Sequence, residues 1–228
     1  MALTFGNTLH RAGNYLWLLL ALLLLLFCSA TAAQLDLQIL RLVASSSMAF
    51  VILVAVWSSQ RNQYPFTSRL AVTLVIVIVE GGGLVMDYYH LGTAQLLLLL
   101  FFILTTIVLA CRQVLFTGGV DTNEIVGSIC IFMLLGLAWA VAYMLVERFF
   151  PGSLPELAGE HWRDYLHESI YFSFVTLTSV GYGDISPAQP LAHFLAYLQG
   201  VTGQFYLAIV VASLIGAKMS GDSRGSAK

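Results

Sequence analysis

Charge is what this chain has least of. Only 10 Lys and Arg and 12 Asp and Glu occur among 228 residues, a tenth of the chain, whereas a soluble domain keeps roughly a quarter of its residues charged. With 59% hydrophobic residues and a mean hydropathy of +0.86, the composition excludes an ordinary soluble domain and indicates a polytopic membrane protein. A net charge of -2 gives no basis for a nucleic-acid partner. Cysteine is scarce as well. Cys28, Cys111 and Cys130 are odd in number, far apart and set in apolar stretches, which argues against a disulfide framework and for buried free thiols.

An apolar run must reach about 20 residues to cross a bilayer as a helix. Six runs qualify, at 15–33, 38–57, 69–88, 93–116, 123–147 and 190–218. A seventh, 165–178, is too short to span. Such a segment is tolerated at membrane depth only where protein or a wet cavity covers the backbone that follows it. The basic residues set the orientation. Arg11, Arg61, Arg69, Arg112, Lys218, Arg224 and Lys228 flank one side, while Arg148 and Arg163 lie on the other with Arg41 near it. Both termini are therefore expected in the cytoplasm of a multi-pass cell-membrane protein. The first run ends in Cys28-Ser-Ala-Thr-Ala-Ala33, a tail like a signal-peptide cleavage site. Its apolar core is longer than a signal core usually runs, so a retained helix is expected, and the later orientation is the same either way.

The short segment leads into Thr176-Leu-Thr178-Ser179-Val180-Gly181-Tyr182-Gly183-Asp184. Gly181 and Gly183 accept positive φ at no steric cost, which lets successive carbonyls turn to one side. This run resembles the selectivity filter of potassium channels, and residues 123–218 as a whole resemble their pore module. The resemblance implies an outer helix at 123–147, a pore helix at 165–178, a filter at 179–184 and an inner helix at 190–218. It implies that the carbonyls of Ser179, Val180, Gly181 and Tyr182 hold dehydrated K+, with the Ser179 hydroxyl adding the innermost ring. Gly183 completes the ion-binding segment. Val180 and Tyr182 are expected to point away from the path, with Thr178, Asp184, Tyr171 and Val175 supporting the filter from behind. One chain supplies one such segment, so a homotetramer is implied. No cofactor is expected beyond the permeant ion, and no enzymatic activity.

Departures from the family pattern are specific. Ser179 stands where Thr is usual, keeping the hydroxyl without the methyl that stiffens χ1. Tyr171 and Phe172 replace a pair of tryptophans; Phe172 offers no donor, while the Tyr171 hydroxyl is placed to reach Asp184. Val175 stands where some relatives have a carboxylate. The C-terminal end of the pore helix should direct its negative dipole to the cavity. The outer stretch from Glu147 to Asp184 carries six acids against two bases, -4 per subunit and -16 for four, which either raises local cation concentration or is an ordinary solvated loop surface. On the inner helix, Gly200 and Gly203 are hinge candidates, and Gly203 sits at the family's hinge position. The competing reading is close helix packing. Ala208, Val211, Ala212 and Ile215 are candidates for an apolar constriction. The Pro-x-Pro bend of voltage-gated relatives is missing.

Residues 1–116 form a four-helix N-terminal region in the position of a voltage sensor, joined by a linker at 117–122 and its Gly118-Gly119 pair. The fourth run holds a single basic residue, Arg112. Each charge crossing the field contributes about 2.3 kcal/mol per 100 mV, so little or no voltage sensing by charge movement is expected. Arg41 and Glu80 fall within spans and are expected to pair, with each other or with Asp36 or Asp87; ion or proton sensing is the sharper alternative. Gly81-Gly82-Gly83 should weaken the third helix. The polar stretch 219–228 is expected to be a short cytoplasmic tail without a ligand-binding domain. The expected fold is an all-α membrane protein of six transmembrane helices plus a re-entrant pore helix and filter, assembled in the lipid as a tetramer. A transporter subunit, a non-conducting regulatory subunit and a non-selective cation channel are the rival readings.

Overall fold

The computed structural model describes residues 14–35, 89–115, 122–157, 159, 162–213 and 216. The expected second and third runs, with Asp36, Arg41, Glu80, the Gly81–Gly83 run and Asp87, lie outside the described residues, as does Ile215. The described residues are all-helical, without strands. Helix α1 spans Asn14–Leu35, α2 Tyr89–Leu115, α3 Thr122–Phe149, α4 Leu166–Leu177 and α5 Pro190–Phe205. A π-helix, Tyr206–Val211, continues from α5.

Three of these helices are long and apolar enough to cross a membrane, over Tyr15–Leu35, Gly92–Val114 and Asn123–Phe149. Their burial is one-sided although their sequence is apolar all round. In α1, Tyr15, Leu18, Leu22 and Leu25 are buried, at helical spacing, while Leu16, Trp17, Leu20, Leu23 and Phe27 are exposed. In α2, Leu96, Leu99, Ile103, Ile107 and Val114 are buried and Leu97, Phe101, Leu104 and Val108 are not. A soluble helix would make that second face polar. Exposed leucine and phenylalanine along three turns suit a hydrocarbon surrounding.

Helix α3 is the centre. It packs against α1, α2, α4, α5 and the π-helix, and Ile131, Leu134, Val141, Tyr143 and Met144 on it are almost fully buried. Glu124 in its first turn and Arg148 in its last both oppose the helix dipole. The ends of the three long helices are matched by polar contacts. At one end the Tyr15 hydroxyl donates to Gln113 Oε1 at 2.7 Å, and the Cys130 thiol donates to the Tyr15 carbonyl at 3.4 Å. At the other, Arg148 Nε donates to Thr93 Oγ1 at 2.7 Å and Trp162 Nε1 to Gln95 Oε1 at 3.1 Å. Helix α2 therefore runs antiparallel to α3, and the start of α1 lies beside the start of α3.

The connection from α3 to α4 is built on Glu147. Its carboxylate accepts from the backbone N–H of Gly152 and of Leu154, each at 2.7 Å, closing a tight turn in which Gly152 has φ +80°. Ser153 in that turn accepts the Ala188 N–H through its carbonyl at 2.8 Å, and Gln189 Nε2 donates to the Pro151 carbonyl at 3.1 Å. The entry to α5 is thereby tied to the exit from α3. Pro190 then opens α5 at its first turn, where a missing N–H costs nothing.

Candidate functional site

Helix α4 is 12 residues long, about 18 Å at 1.5 Å per residue, too short to span a bilayer. It ends in a Schellman cap. Thr178 is the last αR residue, Ser179 follows at φ +59°, the Ser179 N–H bonds the Thr176 carbonyl and the Val180 N–H bonds the Val175 carbonyl, both at 3.0 Å. Those two bonds are the 5→2 and 6→1 pair that stops a helix with one left-handed residue. Glycine is the usual occupant; here it is serine. Val175, whose side chain carries no charge, takes part through its carbonyl, which also accepts from the Gly181 N–H at 3.4 Å. The Thr178 hydroxyl donates back to the Phe174 carbonyl at 2.7 Å.

Beyond the cap, left-handed backbone recurs at every second residue: Ser179 at φ +59°, Gly181 at +60° and Gly183 at +83°. Sequence reasoning assigned positive φ to the two glycines and missed Ser179. An L-residue in this region is uncommon, and a β-branched one is a genuine outlier. At this φ serine costs less than threonine would. Around Gly181 and Gly183 there is open space within 4 Å of where a Cβ would sit, so it is conformation rather than crowding that favours glycine there.

Tyr171 and Asp184 come together as expected from the sequence. The Tyr171 hydroxyl donates to Asp184 Oδ2 at 2.7 Å, tying α4 to the far end of the glycine run. That donor, with support from backbone N–H groups, holds the Asp184 carboxyl below the usual carboxylate range. The Tyr171 and Tyr182 rings are parallel, 6.5 Å between centroids and 1° between planes. Tyr182 is still 73% exposed and Val180 53% exposed.

A buried polar network that sequence reasoning missed joins three helices behind the run. The Tyr143 hydroxyl on α3 donates to Gln199 Oε1 on α5 at 2.6 Å. Gln199 Nε2 donates to the Ser173 carbonyl at 2.9 Å and Oγ at 2.8 Å. Ser173 Oγ donates to the Gly136 carbonyl at 2.6 Å. Gln199 and Ser173 are fully buried, and the amide and hydroxyls all have partners, the condition under which such a network rigidifies. The available signal was an amide inside an apolar helix, one of two there with Gln204. Phe172 is buried beside it, edge-on to Tyr143 at 4.8 Å.

Gly203 is buried where α5 meets the end of α4. A Cβ there would run into the Leu177 carbonyl, so this glycine serves a backbone-to-backbone approach. Gly200 has open space around it. The π-helix begins three residues after Gly203, a change of winding that nothing in the sequence announced. Tyr206 anchors it, donating to the Ser128 carbonyl at 2.6 Å with its ring 5.4 Å from that of Phe132. Ala208 and Ala212 are exposed. Val211 closes the π-helix, and its side chain lies outside the described set, as does the whole of Ile215.

No curated protein and no solved structure matches the chain. Residues 129–218 match the family model described as "Ion channel", a range that takes in most of α3, all of α4, the glycine run, α5 and the π-helix, and this match together with the apolar helices supports an ion channel in a membrane.

Proposed function

We propose that the chain is a potassium-selective channel, conducting passively through a pore made by four copies. The observation that carries this reading is the alternation of left-handed backbone at Ser179, Gly181 and Gly183, directly after a short helix that is capped at its C-terminus. Alternating handedness turns successive carbonyls to one side, the arrangement needed to replace the water around a dehydrated K+ with protein oxygen. The proposed ion ligands are the carbonyls of Ser179, Val180, Gly181 and Tyr182, with Gly183 and Asp184 at the outer mouth and Tyr171, Val175 and Thr178 in support.

A fourfold assembly is supported by what a single copy leaves uncovered. Val180 and Tyr182 on the glycine run, and Phe194, Tyr197, Val201 and Phe205 at helical spacing on α5, are exposed, and one copy provides only one wall of a path. A homotetramer buries those side chains against itself around the axis. Two described helices precede α3, and with α1 beginning and α2 ending at the end of the bundle where α3 begins, they fit an order of six spans with both termini in the cytoplasm. Helix α2 has one basic residue, Arg112, in its last turn, which supports weak or absent voltage sensing by charge movement. Gly200 as a hinge beside the close-packed Gly203, and Val211 and Ile215 as a constriction, belong to the same proposal.

The experiment is cation flux from the purified full chain in liposomes, in K+ and then in Na+, beside Gly181→Ala. Ala at φ +60° costs about 1–2 kcal/mol of conformational energy without a clash. Flux that is K+-selective in the wild type and lost in the variant supports the reading. Equal K+ and Na+ flux overturns the selectivity.

A further inference from the structure

The stretch Leu191–Val211, α5 with the π-helix, is almost wholly apolar, and apart from Tyr197 and Tyr206 its polar or titratable side chains are His193, Gln199, Thr202 and Gln204. Each of the four has a defined contact. His193 Nε2 bonds the Pro187 carbonyl in the loop before α5. Gln199 serves the buried network. The Thr202 hydroxyl donates back to the Leu198 carbonyl. Gln204 alone reaches the glycine run. Its Nε2 donates to Ser179 Oγ at 2.9 Å, on an exposed surface.

The packing of α5 explains how it gets there. Gly203 lets the backbone press onto the Leu177 carbonyl. Gln199, four residues earlier, and Tyr206, three residues later, pin the helix on either side of that contact. The next residue after the contact, Gln204, is thus delivered to the base of the run. An amide in a membrane-spanning helix is expensive unless it faces the bundle interior or water and finds a partner. Its partner is the hydroxyl of Ser179, among the described residues the one non-glycine residue at positive φ.

We propose, resting on the potassium-channel reading above, that Gln204 is a positioning residue for the innermost cation site and sets how tightly that site holds a cation. A hydroxyl oxygen has two lone pairs. One is engaged by the Gln204 N–H, which also brings the positive end of an amide dipole close to the ring of Ser179 oxygens. A cation at that ring therefore meets a weakened ligand, leaves more readily and lodges less firmly. Removing the amide frees the oxygen and deepens the site.

The test is block of K+ current by Ba2+, a divalent cation close to K+ in size, applied from the side of the C-terminal tail to full-length channels in planar bilayers. Four proteins are compared: wild type, Gln204→Met, Ser179→Ala and the double variant, with Gln204→Leu as a second replacement should Met assemble poorly. Loss of one hydrogen bond to the ligand oxygen should tighten block by about tenfold in Gln204→Met. On the Ser179→Ala background the same substitution should change block by less than about twofold, since the atom it acts through is gone. Equal block in wild type and Gln204→Met overturns the assignment. So does a Gln204→Met effect that persists undiminished without the hydroxyl, because general cavity polarity or helix packing would act in that way. A wild type with no K+-selective current overturns the channel reading itself, and that result is seen before any variant is compared.

Discussion

Ser179 is the residue on which most of this account turns. It closes the α4 cap, takes the first left-handed position of the run and accepts from Gln204. Ser179→Thr should be unfavourable at φ +59°, because a β-branched side chain is poorly accommodated there; reduced recovery of assembled protein on gel filtration would register it, and unchanged assembly with unchanged flux would count against the left-handed assignment. Asp184 gives a pH prediction. The Tyr171 hydroxyl lowers its carboxyl pKa, so the stabilising bond is fully present above the ordinary carboxylate range and is lost only as pH falls through the lowered value. Tyr171→Phe removes the donor, lets the Asp184 carboxyl rise toward the ordinary carboxylate range and should make K+ flux sensitive to outside acid at a higher pH than in wild type. Identical acid sensitivity in both proteins would contradict the pairing. The sequence made Gly181, Gly183 and the Tyr171–Asp184 contact legible because glycine and a donor–acceptor pair each announce a geometry. It did not announce Ser179, whose conformation is set by where the helix stops.

Among the helices, Gly200 and Gly203 separate two roles that look alike in sequence. Gly203→Ala puts a methyl against the Leu177 backbone and should cost about 1–3 kcal/mol by overpacking, lowering thermal stability in detergent. Gly200→Ala meets open space and should be neutral or raise helix stability by up to about 1 kcal/mol. Equal effects at the two positions would contradict the close-approach account of Gly203. The buried amide offers a second check. Gln199→Leu leaves the Tyr143 hydroxyl and the Ser173 carbonyl without their partner and should cost about 1–2 kcal/mol. Among the described residues the long helices were easy to place, because long apolar runs leave little choice of structure in a bilayer. The Tyr206–Val211 π-helix was not, since winding depends on how Tyr206 is anchored to α3 and not on local propensity.

For the assembled protein, the exposed apolar face of α5 and the solvent-facing Tyr182 and Val180 are features of one copy that four copies would remove. The composition already indicated a membrane protein, and the glycine run indicated where an ion path would lie. What neither could convey is how α3, α4 and α5 are locked together by Tyr143, Ser173 and Gln199, because that lock joins residues far apart in the chain. The most direct test of potassium selectivity is the reversal potential of single channels in a planar bilayer with K+ on one side and Na+ on the other. The account predicts a reversal potential displaced strongly toward the K+ equilibrium potential, with the displacement lost in any residual current of Gly181→Ala. A wild-type reversal near zero would contradict it.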